Sequence, residues 1–338
     1  MDINSRVGFI FEDAIYNDIL QSRKNKSDDI NKKLCLSIKR KNYHLCKLLI
    51  HSGADINFRY TYDDTPLHIA AEKRSLDICK LLIENGADLD MKDCDSKTPL
   101  HIATEKCSLD ICKLLIENGA DLNIKDFISY TPLHYAALEG YFDICKLLIE
   151  NGANIHLECR HGGQPLGRAA ARGHYKVCKL LIDNGGNLNF LDDQLSTPLH
   201  WAARNGYFKV CKLLIDYGTN INIQNYVNTT PLHLAVEISS YKICKLLLES
   251  GADLNIQNSL GNTALHCAIY RRVIYDGNYE ICKLLIVNST SFDKTNNQGY
   301  TVKQLAKKEG YNKIYNLIAY EEFKNKIYLR RKYLISLI

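Results

Sequence analysis

Six of the eleven histidines (His68, His101, His134, His200, His233, His266) and thirteen cysteines are the residues best equipped for chemistry. Imidazoles bind metals and move protons; thiolates bind zinc, attack carbonyls or pair as disulfides. Their spacing argues against all of these uses. Cys46, Cys79, Cys112, Cys145, Cys178, Cys211 and Cys244 are each 33 residues apart, and Cys282 follows after 38. The six histidines recur once per interval, whereas catalysis needs unlike groups converging at one place. Packed helices lie about 8–10 Å apart, and a disulfide needs Cα atoms within about 7 Å, so equivalent cysteines neither bridge nor share a zinc. No C-x-x-C pair occurs. The ladder cysteines read as small buried hydrophobes in a reducing compartment. Each histidine is expected to bond Thr or loop backbone, tying one unit to the next. Of the cysteines off the ladder, Cys94 is placed on a hairpin loop as an exposed thiol.

Other signatures of catalysis are missing. There is no Gly-rich phosphate loop after a strand, no G-x-S-x-G and no H-E-x-x-H. Catalytic, cofactor-binding and metal-ligating residues are therefore all given as none, and the chain is read as a non-enzyme. A lysine follows each ladder cysteine from Lys47 to Lys283, which could suggest nucleic acid. Acidic residues four positions later, such as Glu84, Glu117, Glu150 and Glu249, offset that row, so a solvated face without nucleic acid is expected.

The elements behind this spacing are clearest in Thr131–Asn154, TPLHYAALEGYFDICKLLIENGAN. Thr131 and Pro132 suit a helix start, Thr as a side-chain cap and Pro at the first helical position. Gly140 ends that helix with a left-handed residue. A second helix from Phe142 to Glu150 has an apolar stripe wide enough for neighbours on both sides. Neither helix is long enough to be stable alone, so the unit requires copies of itself. The Thr-Pro-Leu-His tetrad recurs at 65–68, 98–101, 197–200 and 230–233, with Thr263-Ala264-Leu265-His266 one change away.

This pattern resembles the ankyrin repeat. The resemblance implies an all-α repeat solenoid, an ankyrin-like stack of helix-turn-helix units with projecting hairpin loops and a concave binding face. Residues 1–31 are read as an N-terminal cap containing an amphipathic piece at Phe11–Leu20. Residues 32–320 hold eight to nine repeats, with a five-residue insertion within 269–279 expected to lengthen the first helix or the inter-helix loop. Residues 321–338 form a basic amphipathic tail. From Thr301 onward nine Lys and Arg stand against three Glu, a net +6, while the whole chain is +5. For the tail, packing of Phe323, Ile327 and Leu334 onto the last repeat is preferred, with partner binding and peripheral membrane contact left open. No secretory or membrane-spanning segment is seen, and a cytoplasmic monomer is expected. The bias toward Lys, Ile, Asn and Tyr is similar to that of multi-repeat proteins from AT-rich viruses or intracellular bacteria and parasites, which would place it in a host cytoplasm.

Departures from the repeat locate individuality. Gln164, Gly167 and Arg168 replace the usual residues in one frame, where a weaker helix start is expected. Arg74, Cys107, Ser239 and Arg272 stand where a turn glycine belongs, implying strain. What the resemblance implies about recognition falls on hairpin tips and first-helix ends. The tips carry Tyr62, Asp95, Phe127, Ile128, Tyr130, Arg160, His161, Gln194, Tyr226, Val227 and Leu260. The helix ends carry Glu72, Glu105, Leu138, Glu139, Arg172, Arg204, Glu237, Ile238, Tyr270 and Arg271. Trp201, one step inward, is read as core. The expected function is a protein–protein interaction module or scaffold. The alternative is an adaptor or host-interaction effector whose repeats hold a client while the tail recruits other machinery or a membrane.

Overall fold

The computed structural model describes residues 26–270 and 276–335. Phe11–Leu20, Arg271 and Arg272 lie outside them. The described chain divides into two compact units, one running to Ala137 with Tyr141–Arg160, the other comprising Leu138–Gly140 and His161 onward.

The first unit contains helix pairs α1 (Lys26–Lys39) and α2 (Tyr43–His51), α3 (Pro66–Glu72) and α4 (Leu76–Glu84), and α5 (Pro99–Glu105) and α6 (Leu109–Glu117); α7 (Pro132–Glu139), whose last two residues count with the second unit, and α8 (Phe142–Glu150) follow. The second unit contains α9 (Pro165–Arg172), α10 (Tyr175–Asp183), α11 (Pro198–Arg204), α12 (Phe208–Asp216), α13 (Pro231–Glu237), α14 (Tyr241–Glu249), α15 (Ala264–Tyr270), α16 (Asp276–Asn288), α17 (Val302–Lys308) and α18 (Asn312–Ile335). Within each unit first helices stack on first helices and second on second. Among the described residues the only β-structure is an isolated bridge between Thr295 and Thr301. This is an all-α repeat solenoid.

The first helices α3, α5, α11, α13 and α17 open with a reciprocal cap. The Thr65 N–H donates to His68 Nδ1 at 3.2 Å, and the His68 N–H returns a bond to Thr65 Oγ1. The other ring nitrogen, Nε2, reaches the carbonyl of Lys97 at 2.9 Å, 29 residues on. Because Nδ1 accepts, Nε2 carries the proton and donates. His101 makes the same reach to Tyr130 O, His200 to Thr229 O, His233 to Asn262 O and His266 to Tyr300 O. One imidazole thus starts its own helix and holds the hairpin of the next repeat. The last repeat keeps the cap with an amide, Thr301 N donating to Gln304 Oε1 at 3.0 Å.

The second helices supply most of the remaining core. Ile144, Cys145 and Leu148 of α8 are buried, as are Val210, Cys211, Leu213 and Leu214 of α12. All eight ladder cysteines are buried as free thiols. The lysine row is solvated: Lys113–Glu117, Lys146–Glu150 and Lys245–Glu249 are exposed pairs at 3.8 Å, which contribute little.

Several departures are explained. Arg74, Cys107 and Ser239 adopt left-handed φ of 55°, 52° and 56°, and Lys41 at 56° is a fourth case that the sequence reading missed. At Gly173 the need for glycine is double, since φ is +76° and an added Cβ would lie 2.4 Å from the Tyr207 ring. In the divergent frame Gln164 gives no side-chain cap, yet α9 forms with Pro165 at its start. Arg168 lies against Gly163, where an added Cβ would meet its guanidinium at 2.6 Å. The insertion within 269–279 is described only at its edges, Ile269 and Tyr270 in helix α15 and from Asp276 onward in the second helix, α16, so the expected longer first helix or inter-helix loop falls on residues outside the described set. The preferred packing of the tail is corrected. Residues 312–335 form one continuous helix, and Phe323 and Ile327 are exposed on it; the side chain of Leu334 lies outside the described set. Helix α1 already covers residues 26–31, ahead of residue 32.

Burial pushes His101, His200 and His233 down to about 4, so the folded state holds them neutral. Their stabilisation is complete above the unfolded value near 6.5 and is lost as pH falls toward 4, at about 1.4 kcal/mol per pH unit for each ring. Asp64 acts in the opposite sense, because burial, then Asp93 and Glu72, push its carboxyl up to about 6. The net expectation is a melting midpoint about 5–10 °C lower at pH 5 than at pH 7.5 by circular dichroism. Burial also raises Cys79, Cys112, Cys145, Cys211, Cys244 and Cys282 to about 12. Alkylation of the native protein should therefore label Cys94 and Cys107 first by mass spectrometry, with the ladder reacting only after denaturation.

Candidate partner-binding surface

The hairpins between repeats are built on a short acidic or amide side chain at the base. Asp93 Oδ1 accepts the N–H groups of Asp95 and Lys97, and Asp126 Oδ1 those of Ile128 and Tyr130. In the second unit Asp192, Asn225, Asn258 and Asn296 repeat this. The slot one step past the cap histidine tightens some bases. Tyr135 Oη donates to Asp126 Oδ2 at 2.6 Å, and Trp201 Nε1 to Asp192 Oδ2 at 2.7 Å. Trp201 is half-buried and locks a finger, a role richer than plain core.

Neighbouring fingers are joined by one backbone bond each. In the first unit Cys94 N–H donates to Tyr62 O, Phe127 N–H to Asp95 O and Arg160 N–H to Ile128 O. In the second, Tyr226 N–H donates to Gln194 O, Ser259 N–H to Val227 O and Asn297 N–H to Leu260 O. The backbone is thereby fixed while the side chains at the tips face solvent.

The predicted residues distribute as follows. In the first unit Tyr62 is 79 % and Phe127 68 % exposed, with Ile128 and Arg160 also exposed. The Arg160 guanidinium lies 5.7 Å from the Phe127 ring centroid. Tyr130 sits lower, half-buried against His134 and Tyr135 at ring separations of 5.3 and 5.2 Å. Asp63, Asp64, Asp93, Asp95 and Glu72 make these tips acidic. Local desolvation, then Asp95, Asp93, Asp64 and Asp63, raise the Cys94 thiol, so it is exposed but not activated.

In the second unit Tyr226, Leu260 and Ile238 are exposed, as are Arg172 and Arg204. Val227 and Leu138 are half-buried, the Leu138 carbonyl lying 2.9 Å from His174 Nε2. Tyr270 is half-buried; its hydroxyl donates to Gln298 Oε1 and accepts from Asn296 Nδ2. Leu260, Tyr270, Cys267 and Glu237 share the lining of a cleft of about 480 Å³ with several asparagines. Arg271 lies outside the described residues. Sequence reasoning missed Leu195, an exposed tip residue with φ of 52°. The signal was available: the equivalent slots hold Asp63, Ser96, Ser129, Gly162, Asn228 and Gly261, all small or polar.

Among the described residues, no group of three or more His, Cys, Asp or Glu is placed to hold a metal. None of the described helices is long and apolar enough to cross a membrane. A search of curated proteins returned no match. A family model described as ankyrin repeats, in three copies, matches residues 34–126, 133–225, 166–258 and 232–328. With the Thr–His cap, the helix stacking and that coverage in agreement, the chain belongs to the ankyrin repeat family.

Proposed function

We propose that this protein is a non-enzymatic scaffold that captures a partner protein on its finger tips and first-helix ends. Ankyrin repeats generally mediate protein–protein interaction. The observation that carries the reading is the pairing of a pinned finger backbone with large apolar side chains left in solvent. A side chain held in place before binding loses little entropy on binding, and exposed aromatics beside Arg are typical energetic anchors.

The two units offer different chemistry. The first presents Tyr62, Phe127 and Ile128 among carboxylates, which suits a segment carrying apolar anchors and basic groups. The second presents Tyr226, Val227, Leu260 and Ile238 with Arg172 and Arg204, and its cleft beside Tyr270 accepts a further side chain. A second, adaptor reading follows from α18, which leaves the last repeat with an exposed apolar stripe. In that reading the repeats hold a client and residues 321–338 recruit other machinery or a membrane surface.

The test is affinity capture with purified wild type and with Tyr62→Ala/Phe127→Ala. Loss of captured partner by at least about tenfold, at an unchanged melting temperature, is the expected result. Equal capture by a folded double variant would remove the first-unit tips from the interface.

A further inference from the structure

We propose that α18 docks on an anionic membrane surface. This rests on the adaptor reading and names the surface recruited. The inner face of the helix packs Ile314, Ile318 and Glu321 into the second unit. Beyond them Tyr320, Phe323, Ile327 and Tyr328 are 62 %, 64 %, 40 % and 66 % exposed. At 3.6 residues per turn these four cover an arc of about 140°. Lys324 falls within that arc, but its ammonium is drawn to Glu321 at 3.0 Å.

The charges around the arc are unbalanced. Both glutamates are already paired, Glu321 with Lys324 and Glu322 with Lys303. Lys326 follows, and the sequence adds Arg330, Arg331 and Lys332 on the same helix with no further acid. This excess is complementary to an anionic surface and argues against a second copy of the chain, which would bring the same charge. A partner groove reads a narrow stripe, whereas a broad arc rich in tyrosine and phenylalanine, flanked by cations, matches the headgroup region of a bilayer. Interfacial docking also fits a helix that is not apolar enough to span.

The experiment is co-sedimentation of the whole protein with vesicles of phosphatidylcholine, alone or mixed with phosphatidylserine. Pelleting with the mixed vesicles, weak pelleting with phosphatidylcholine alone, and a several-fold drop at high salt are expected. Phe323→Ser/Ile327→Ser and Arg330→Glu/Arg331→Glu should each reduce vesicle binding at least tenfold with unchanged melting. Phe323 and Ile327 are exposed, and a third variant, Lys326→Glu, gives an independent reading if either pair melts early. Absence of pelleting, equal pelleting on both vesicles, or full binding by folded variants would overturn the proposal. Tyr62→Ala/Phe127→Ala should pellet like wild type, so failure on vesicles and failure of partner capture are separable.

Discussion

The double engagement of one imidazole is the constraint on which the rest of the structure depends. A helix of seven residues has too few internal bonds to hold itself. His68, His101, His200, His233 and His266 each complete a reciprocal cap and also bind a carbonyl in the next hairpin. Local order and propagation of the stack are thus the same event. Both bonds require a neutral ring with its proton on Nε2, and burial enforces that state. Where the imidazole is replaced by Gly167, the repeat relies on Pro165, Gly163 and the Arg168 side chain lying over it. The finger that follows is held from its own side, by Asp192 and Trp201.

The same constraint separates structure from function along the chain. Positions that repeat serve the stack. Cys145 and its ladder fill volume, Thr and His start helices, and the base Asp or Asn closes each finger. What is left to vary freely is the outermost part of each finger and the end of each first helix. Phe127 and Tyr226 occupy equivalent tip slots in the two units, and both are exposed on a backbone pinned to the preceding finger. A partner meeting such a surface finds its anchors already placed.

Most of the fold was legible in the sequence because a 33-residue period multiplies weak local signals. Thr131–Pro132 alone is an ambiguous helix start; the same tetrad in register across the chain is not. The role of the histidines as ties between repeats was legible too, although not the partner carbonyl or the tautomer. Lys41 escaped notice because the first repeat lacks the Thr-Pro-Leu-His motif, although Cys46 sets the register and places Lys41 33 residues before Arg74. The fate of residues 321–335 was also hidden. Apolar spacing in Phe323 and Ile327 shows that a helix has a stripe, and says nothing about whether a neighbour exists to cover it. At the tips, Tyr130 and Phe127 look alike in sequence, yet one lies at the finger base beside Tyr135 and the other stands in solvent.

Native-state hydrogen exchange at the finger amides tests the central claim most directly. The Cys94, Phe127, Arg160, Tyr226 and Ser259 N–H groups each donate across to the preceding finger. The account predicts that they exchange as slowly as amides in the flanking helices, although their own side chains are solvent-exposed or nearly so. Exchange at the rate of an unstructured loop would contradict it, because the fingers would then be mobile and the binding surface would not be preorganised by the stack.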